Sequence, residues 1–113
     1  MANVNWRILS SDTDLDEAIQ RSHQNTVVLF KHSTRCSVSS MALRFFEQSW
    51  NYDDASITPY FLDLIQYRSL SNRIASEFAV DHESPQMIVV KDGMAVLDRS
   101  HNMIDANALG EFA

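Results

Sequence analysis

The sequence predicts an α/β domain in which a mixed four-stranded β-sheet carries helices on both faces. Short β-branched apolar runs alternate along the chain with longer segments in which apolar residues recur at helical spacing. The pair Asp92-Gly93 separates the last two apolar runs, as in a two-residue β-hairpin turn. The chain has 113 residues, the size of an average domain, so a single domain over residues 1–113 is expected.

Composition and charge restrict the possible classes of protein. Hydrophobic residues make up 45% and charged residues 21%, which excludes a disordered or low-complexity chain. The net charge of −6 argues against nucleic acid or an anionic membrane as the main partner. The apolar runs are far shorter than the roughly 18 to 20 residues needed to span a bilayer. The N-terminus lacks the basic start and apolar stretch of a signal peptide, so the cytoplasm is the expected compartment.

The first half of the chain predicts a helix, a strand and a second helix. Ser11 precedes acidic residues that suit the positive end of a helix, predicted over about residues 12–22. The run Thr26–Phe30 has no polar alternation, which is typical of a strand buried on both faces. The following apolar residues recur at helical spacing and predict the longest helix, with this face in the core: Val38, Met41, Ala42, Phe45, Phe46 and Trp50.

A second strand and a third helix come next. Pro59–Ile65 is predicted as a strand, with its proline at the start, where a missing N–H does least harm. Apolar residues over Leu70–Ala79 repeat at helical spacing, and Ser69 or Ser71 is the expected N-cap.

A hairpin and a short helix complete the predicted order of elements. Gln86–Val90 and Ala95–Asp98 are the two strands of the hairpin. A short helix is predicted over about Asp105–Phe112. The order is therefore α-β-α-β-α-β-β-α, and right-handed crossovers make the first two strands parallel. This is the order of the thioredoxin fold.

The single cysteine, Cys36, follows a strand and stands at the first turn of the longest predicted helix. It cannot form an intramolecular disulfide, so it is a small core residue, a metal ligand or a reactive thiol. Unpaired N–H groups and the positive end of the helix favour the thiolate at this position. Lys31, His32 and Arg35 would add positive charge if they face the sulfur. A nucleophile is therefore predicted, with inert burial as the alternative.

Ser39 gives the Cys-x-x-Ser spacing. Its hydroxyl is expected one helical turn after Cys36, where it could hydrogen-bond the thiolate but could not resolve a disulfide. Any resolving thiol must come from another molecule. No metal site is predicted, because one cysteine and four scattered histidines show no paired ligand spacing.

The pair Ser84-Pro85 precedes the third predicted strand. In a thioredoxin fold the X-Pro bond at this place is expected to be cis. A cis bond would present the backbone of Ser84 beside Cys36, where an extended disulfide substrate could pair with it as an added strand. The alternative is an ordinary trans proline at the start of a strand.

Three stretches of the sequence, taken together and in this order, resemble the YtxJ family. They are Phe30–Ser39, Leu62–Asn72 and His82–Gln86. These proteins are known as bacillithiol-system redox proteins, or monothiol bacilliredoxins, and the resemblance covers nearly the whole chain. It implies a thioredoxin fold, a cytoplasmic location and a redox role, with Cys36 as the redox cysteine and Pro85 as the cis-proline.

The resemblance also implies that bacillithiol is a co-substrate, with no bound cofactor. Bacillithiol carries a pair of carboxylates, a glucosamine and a cysteine, so a basic or hydrogen-bonding groove suits it. Lys31, Arg35 and Arg68 are the candidates for this groove, and solvated surface charge is the alternative for each. His32 and His82 are candidates to orient the thiolate or to donate hydrogen bonds.

Two functions from different classes fit these expectations. In the first, the Cys36 thiolate attacks the bacillithiol sulfur of a bacillithiolated protein, the protein thiol leaves, and bacillithiol or a thiol reductase regenerates Cys36. In the second, the chain is a non-catalytic redox sensor or interaction module that is reversibly modified at Cys36. Iron–sulfur binding is disfavoured, because Ser37 and Val38 replace the Gly and Phe of the Cys-Gly-Phe-Ser motif in monothiol glutaredoxins.

Overall fold

The computed structural model describes residues 4–113 and contains a mixed five-stranded β-sheet with the order β1-β3-β2-β4-β5. The strands and helices, in chain order, are β1 (Arg7–Ile8), α1 (Asp12–Arg21), β2 (Thr26–His32), α2 (Ser37–Ser49), β3 (Ile57–Asp63), α3 (Arg68–Phe78), β4 (Gln86–Lys91) and β5 (Met94–Ser100). Two 3₁₀ helices follow, His101–Met103 and Ala106–Phe112. The signal-peptide expectation falls in part on residues 1–3, which lie outside the described residues. In residues 4–113 no helix has the length and apolar character to cross a membrane.

The predicted fold class is confirmed, but the predicted number of strands is wrong. The additional strand, β1, has two residues and pairs in parallel with β3 through Arg7↔Tyr60 and Ile8↔Phe61. Two residues are too few to show a strand pattern in the sequence.

Strand β2 is the centre of the sheet. It runs parallel to β3 and antiparallel to β4, and all seven of its residues are buried. The strand continues two residues beyond the predicted end, through Lys31 and His32. Polar side chains at this end of β2 are therefore enclosed by the neighbouring elements.

Strand β3 and helix α3 both begin earlier than predicted. Pro59 lies inside β3, opposite Val28, at a position that β1 does not reach, so its missing N–H faces a partly open edge. Helix α3 begins at Arg68 after the N-cap Tyr67, which makes no side-chain capping bond. Ser71, one of the two expected caps, lies inside the helix and is fully buried.

Local signals placed two other features correctly. The Ser11 hydroxyl caps α1 by accepting a hydrogen bond from the Asp14 N–H at 3.2 Å. Asp92 and Gly93 both have positive φ, 54° and 76°, as a type I′ hairpin turn requires. The predicted C-terminal helix is a 3₁₀ helix over Ala106–Phe112.

The apolar face of α2 is only partly buried, which corrects the prediction that the whole face is core. Ala42 and Phe46 pack in the core, but Val38, Met41 and Phe45 are 47%, 68% and 49% exposed. At about 100° per residue, these three lie on the flank of the buried stripe rather than at its centre. A row of apolar side chains therefore remains on the surface, beginning two residues after Cys36.

Candidate functional site

Cys36 is the N-cap residue of α2. It is half-buried, and its carbonyl accepts the first helical hydrogen bond, from the Ser40 N–H at 3.1 Å. Its side chain makes no capping hydrogen bond, so the first-turn N–H groups at the positive end of the helix dipole are not bonded to the sulfur in this structure.

A buried hydrogen-bond network supports the loop that carries Cys36. The Ser39 hydroxyl accepts a hydrogen bond from the Ser33 N–H at 3.0 Å and lies 2.8 Å from Nδ1 of His32. Ser39 is fully buried and His32 is 7% exposed. The Ser39 hydroxyl is therefore directed at His32 and Ser33, and its support of Cys36 is indirect, through the loop, rather than the direct bond to the thiolate that was expected.

The imidazole of His32 is buried, and its burial favours the neutral form. Burial lowers the pKa of His32, although the nearby Asp63 carboxylate acts in the opposite direction. Its ring Nδ1 and the Ser39 hydroxyl share one hydrogen bond. This hydrogen bond of the buried imidazole connects the end of β2 to the first turn of α2.

Lys31 is fully buried, so the expectation that it lines a surface groove is wrong. Its Nζ donates to the Ser71 carbonyl at 3.2 Å and lies 3.2 Å from Nδ1 of His82. Burial lowers the pKa of Lys31 to about 8. The residue is enclosed because β2 continues through it between β3 and β4. Within residues 4–113 no carboxylate forms an ion pair with this side chain.

Gln86 completes a polar cluster around Lys31, and this Lys31 cluster comprises Lys31, Ser71, His82 and Gln86. Gln86 lies directly opposite Lys31 in the β2–β4 pair, and its amide nitrogen donates to the Asp81 carbonyl at 2.9 Å. Its amide oxygen is buried without a hydrogen-bond partner among the described residues. The cluster joins β2, α3 and the segment before β4.

Two basic side chains, Lys31 and Arg68, act on His82 in this cluster. Burial lowers the pKa of His82, and the charges of Lys31 and Arg68 lower it further. Arg68 is the exposed first residue of α3. Arg35 is exposed in the loop before Cys36. The predicted basic residues are therefore divided between a buried lysine and two exposed arginines.

The Ser84–Pro85 peptide bond is cis, as predicted. Strands β2 and β4 are antiparallel with Lys31 opposite Gln86, so continuing this register places Pro85 opposite His32 and Ser84 opposite Ser33. This is the end of β2 that leads to Cys36. The topology therefore brings the Ser84–Pro85 backbone and the Cys36 loop to the same end of strands β2 and β4.

His101 is a feature of this region that the sequence did not reveal. It begins the 3₁₀ helix His101–Met103 with a φ of 53°, in the left-handed region that non-glycine residues seldom adopt. Its N–H donates to the Pro85 carbonyl at 3.1 Å, and its Nε2 lies 3.9 Å from a carboxylate oxygen of Glu83. No residue type in the sequence signals a positive φ at a histidine.

An apolar groove of about 380 Å³ lies between α2 and the 3₁₀ helix His101–Met103. The residues that line it are Val38, Met41, Ala42, Phe45, His101, Asn102 and Ile104. The sequence prediction placed the α2 members of this groove in the core, so the groove itself was missed.

The described part of the chain offers no evident metal centre. No cluster of three or more His, Cys, Asp or Glu side chains with the geometry to hold a metal ion occurs in residues 4–113. The site is therefore described by its one thiol, its helix terminus and the cis-proline segment.

A family model described as "Monothiol bacilliredoxin BrxC" matches residues 7–109. The match includes Cys36, Pro85, Lys31 and Arg68 and leaves out only short segments at the two ends of the chain.

Solved structures share the fold. One, described as having a thioredoxin fold and a suggested oxidoreductase role, is 31% identical, covers 94% of this chain and 91% of its own, and superimposes with a TM-score of 0.80. A thioredoxin from Malassezia sympodialis is 14% identical, covers 98% of this chain and 90% of its own, and has a TM-score of 0.73. A thioredoxin from Schistosoma mansoni is 21% identical, covers 95% and 92%, and has a TM-score of 0.70. The two thioredoxins are similar in fold only.

Proposed function

Since the chain belongs to the monothiol bacilliredoxin family, we propose that it removes bacillithiol from protein mixed disulfides through Cys36. Family and fold together support a thiol oxidoreductase role. The observation that carries the proposal is the place of Cys36. It is half-buried at the N-terminus of α2, at the same end of the sheet strands as cis-Pro85. This position leaves the Cys36 sulfur partly exposed, so that a disulfide can reach it.

The proposed reaction consists of two thiol–disulfide exchanges. The Cys36 thiolate attacks the bacillithiol sulfur of the mixed disulfide, a Cys36–bacillithiol disulfide forms, and the protein leaves as a thiolate that takes up a proton. The thiolate of a free bacillithiol then attacks the bacillithiol sulfur on Cys36. This step releases bacillithiol disulfide and restores the Cys36 thiolate, so one bacillithiol disulfide is formed for each protein thiol released.

The reductant must come from outside the chain, because Cys36 is the only cysteine in the sequence. Bacillithiol itself is the proposed reductant, and a thiol reductase is the alternative partner for the second exchange. The proposed setting is the cytoplasm, where small thiols keep such cysteines reduced.

The basic side of the site is the proposed binding place for bacillithiol. Its carboxylates are negatively charged at neutral pH and pair best with guanidinium groups. Arg68, at the N-terminus of α3, and Arg35, next to Cys36, are exposed and available for this contact. Lys31 is buried, so it contributes positive electrostatic potential from inside the fold and makes no direct contact with bacillithiol. The Ser84 backbone is the proposed partner for the extended part of the substrate.

The experiment that tests this function measures thiol release from a bacillithiolated model protein in the presence of free bacillithiol. We expect the wild-type chain to release many equivalents of thiol per chain, and Cys36→Ser to release none above the uncatalysed rate. A matched control is the double variant C36S/S40C, which moves the only thiol to an exposed position within α2. We expect this relocated thiol to be inactive, because it has lost the helix N-terminus.

Two outcomes would contradict the proposal. Release that stops after one equivalent per chain would indicate a sensor that stores bacillithiol without turnover. Equal release from a glutathionylated protein, with glutathione as the reductant, would show that bacillithiol is not the preferred small thiol.

A further inference from the structure

The two walls of the apolar groove begin near Cys36 and near Pro85, the two residues that define the proposed reaction centre. One wall is α2, whose N-cap is Cys36 and whose groove residues start at Val38. The other wall is the 3₁₀ helix His101–Met103, whose first N–H is hydrogen-bonded to the Pro85 carbonyl. The groove therefore starts two residues after Cys36 on one side and at a residue bonded to Pro85 on the other.

The chemistry of the groove does not suit bacillithiol. The α2 wall presents Val38, Met41 and Phe45, which are roughly half or more exposed, and Ile104 closes the floor. A sugar with two carboxylates would lose much of its hydration there, because His101 and Asn102 are the only polar residues in a lining that is otherwise apolar. An apolar side chain would instead remove both its own surface and these side chains from water. Exposed methionine is well suited to contact apolar groups of varied shape.

We propose that this groove holds an apolar side chain of the substrate protein, adjacent to the cysteine that carries bacillithiol. The inference rests on the proposed function and adds a substrate class to it: mixed disulfides whose modified cysteine has a large apolar neighbour. Bacillithiol then lies on the basic side of Cys36 near Arg68, and the protein segment lies on the apolar side.

A second copy of this chain is a less suitable occupant. The groove has seven lining residues, whereas a stable protein–protein interface uses about 20 to 30 residues on each side. A groove of about 380 Å³ is at the lower end of the range for ligand-sized clefts. Its size therefore fits one or two side chains of a short segment.

The first test compares two bacillithiolated nine-residue peptides of equal charge, in which the cysteine is flanked by leucines or by serines. We expect kcat/KM for peptide-thiol release by the wild-type chain to be about fivefold to tenfold higher for the leucine peptide, through a lower KM at similar kcat. Met41→Gln should bring this ratio close to one. Met94→Gln is the matched control, because Met41 and Met94 are both 68% exposed and only Met41 lines the groove. No preference in the wild type, or an equal loss of preference in both variants, would overturn the inference.

The second test does not depend on bacillithiol. An activated peptide, with nitropyridinethiol joined to its cysteine by a disulfide, reacts with the Cys36 thiolate. The pyridinethiolate leaves, and a Cys36–peptide disulfide remains. The methionine methyl signals of this conjugate are then recorded by ¹³C NMR. We expect the leucine peptide to shift the signal of Met41, which lines the groove, but not that of Met94, and the serine peptide to shift neither signal. Shifts at Met94, or none at Met41, would contradict the inference.

The two tests separate the inference from the proposed function. If the wild-type chain releases neither peptide but the leucine conjugate shifts Met41, the proposed function fails and the groove assignment stands. If both peptides are released at the same rate and Met41 does not shift, the function stands and the groove assignment fails.

Discussion

Nζ of Lys31 lies 3.2 Å from Nδ1 of His82, although Lys31 is fully buried in the central strand and His82 belongs to the loop that leads to cis-Pro85. The same ammonium group donates to the Ser71 carbonyl in the first turn of α3. One buried side chain thus holds together the end of β2, the start of α3 and the cis-proline segment. The Lys31 side chain is itself buried, and the desolvation of its charge lowers the stability of the fold.

Lys31→Met is expected to raise the unfolding free energy at pH 7, by about 1–3 kcal/mol. Burial lowers the pKa of Lys31 to about 8 in the folded chain, from 10.5 in the unfolded chain. The unfolded chain therefore binds more protons between these two values, and the wild-type chain gains stability as the pH rises from about 8 to 10.5. Below about pH 8 the full penalty is present. Urea unfolding at pH 7 and at pH 10 measures the difference between variant and wild type.

The advantage of Lys31→Met should shrink as the pH rises through this window. Lys91→Met is the matched control, because Lys91 is exposed at the end of β4 and should show no such pH dependence. An advantage that grows with pH would contradict the assignment of Lys31 as a destabilised buried ammonium.

Ser39→Ala is expected to lower the unfolding free energy by about 1–3 kcal/mol, because it leaves the buried Ser33 N–H without its acceptor and removes the partner of His32. Ser40→Ala, at the next and exposed position, should change it by less than about 0.5 kcal/mol. Thermal or urea unfolding of the two variants checks this contrast. Equal effects would show that the network under the Cys36 loop does not stabilise the fold.

Arg68→Gln is expected to raise KM for a bacillithiolated substrate about fivefold to twentyfold, because it removes an exposed guanidinium whose charge acts on His82 of the Lys31 cluster. Arg44→Gln removes an exposed arginine on α2 and serves as the control. Steady-state release of thiol at low and high salt measures both. If the two variants raise KM equally, general surface charge and not a bacillithiol contact is responsible.

Phe46→Ala and Phe45→Ala test the orientation of α2. Phe46 is fully buried, so its loss should cost about 3–5 kcal/mol of unfolding free energy. Phe45 is 49% exposed, and its loss should cost less than about 1.5 kcal/mol. Similar losses at both positions would mean that the groove side of α2 is covered in solution.

The fold could be predicted from the sequence because its main signals are local. The apolar run of β2, the Ser11 cap and the Asp92-Gly93 turn each act within a few residues. The two-residue strand β1 could not be predicted, since its pairing with β3 depends on residues about fifty positions away. The width of the buried stripe on α2 also depends on what packs against it, so the exposure of Met41 and Phe45 required the structure.

Parts of the site could be predicted for a similar reason. The place of Cys36 at a helix start is visible in the sequence, and the cis bond before Pro85 was predicted from the expected thioredoxin fold. The burial of Lys31 was missed because it follows from the sheet neighbours of β2 rather than from the lysine itself. The positive φ of His101, and with it one wall of the groove, has no counterpart in residue type.

The central claim is that bacillithiol passes through Cys36, and mass spectrometry of acid-quenched chain during turnover tests it most directly. We expect a transient adduct of one bacillithiol per chain, located on the fragment that contains Cys36. Free bacillithiol should remove this adduct at least as fast as thiol is released in the steady state. An adduct with the substrate protein in place of bacillithiol, or one that survives a bacillithiol chase, would contradict the account.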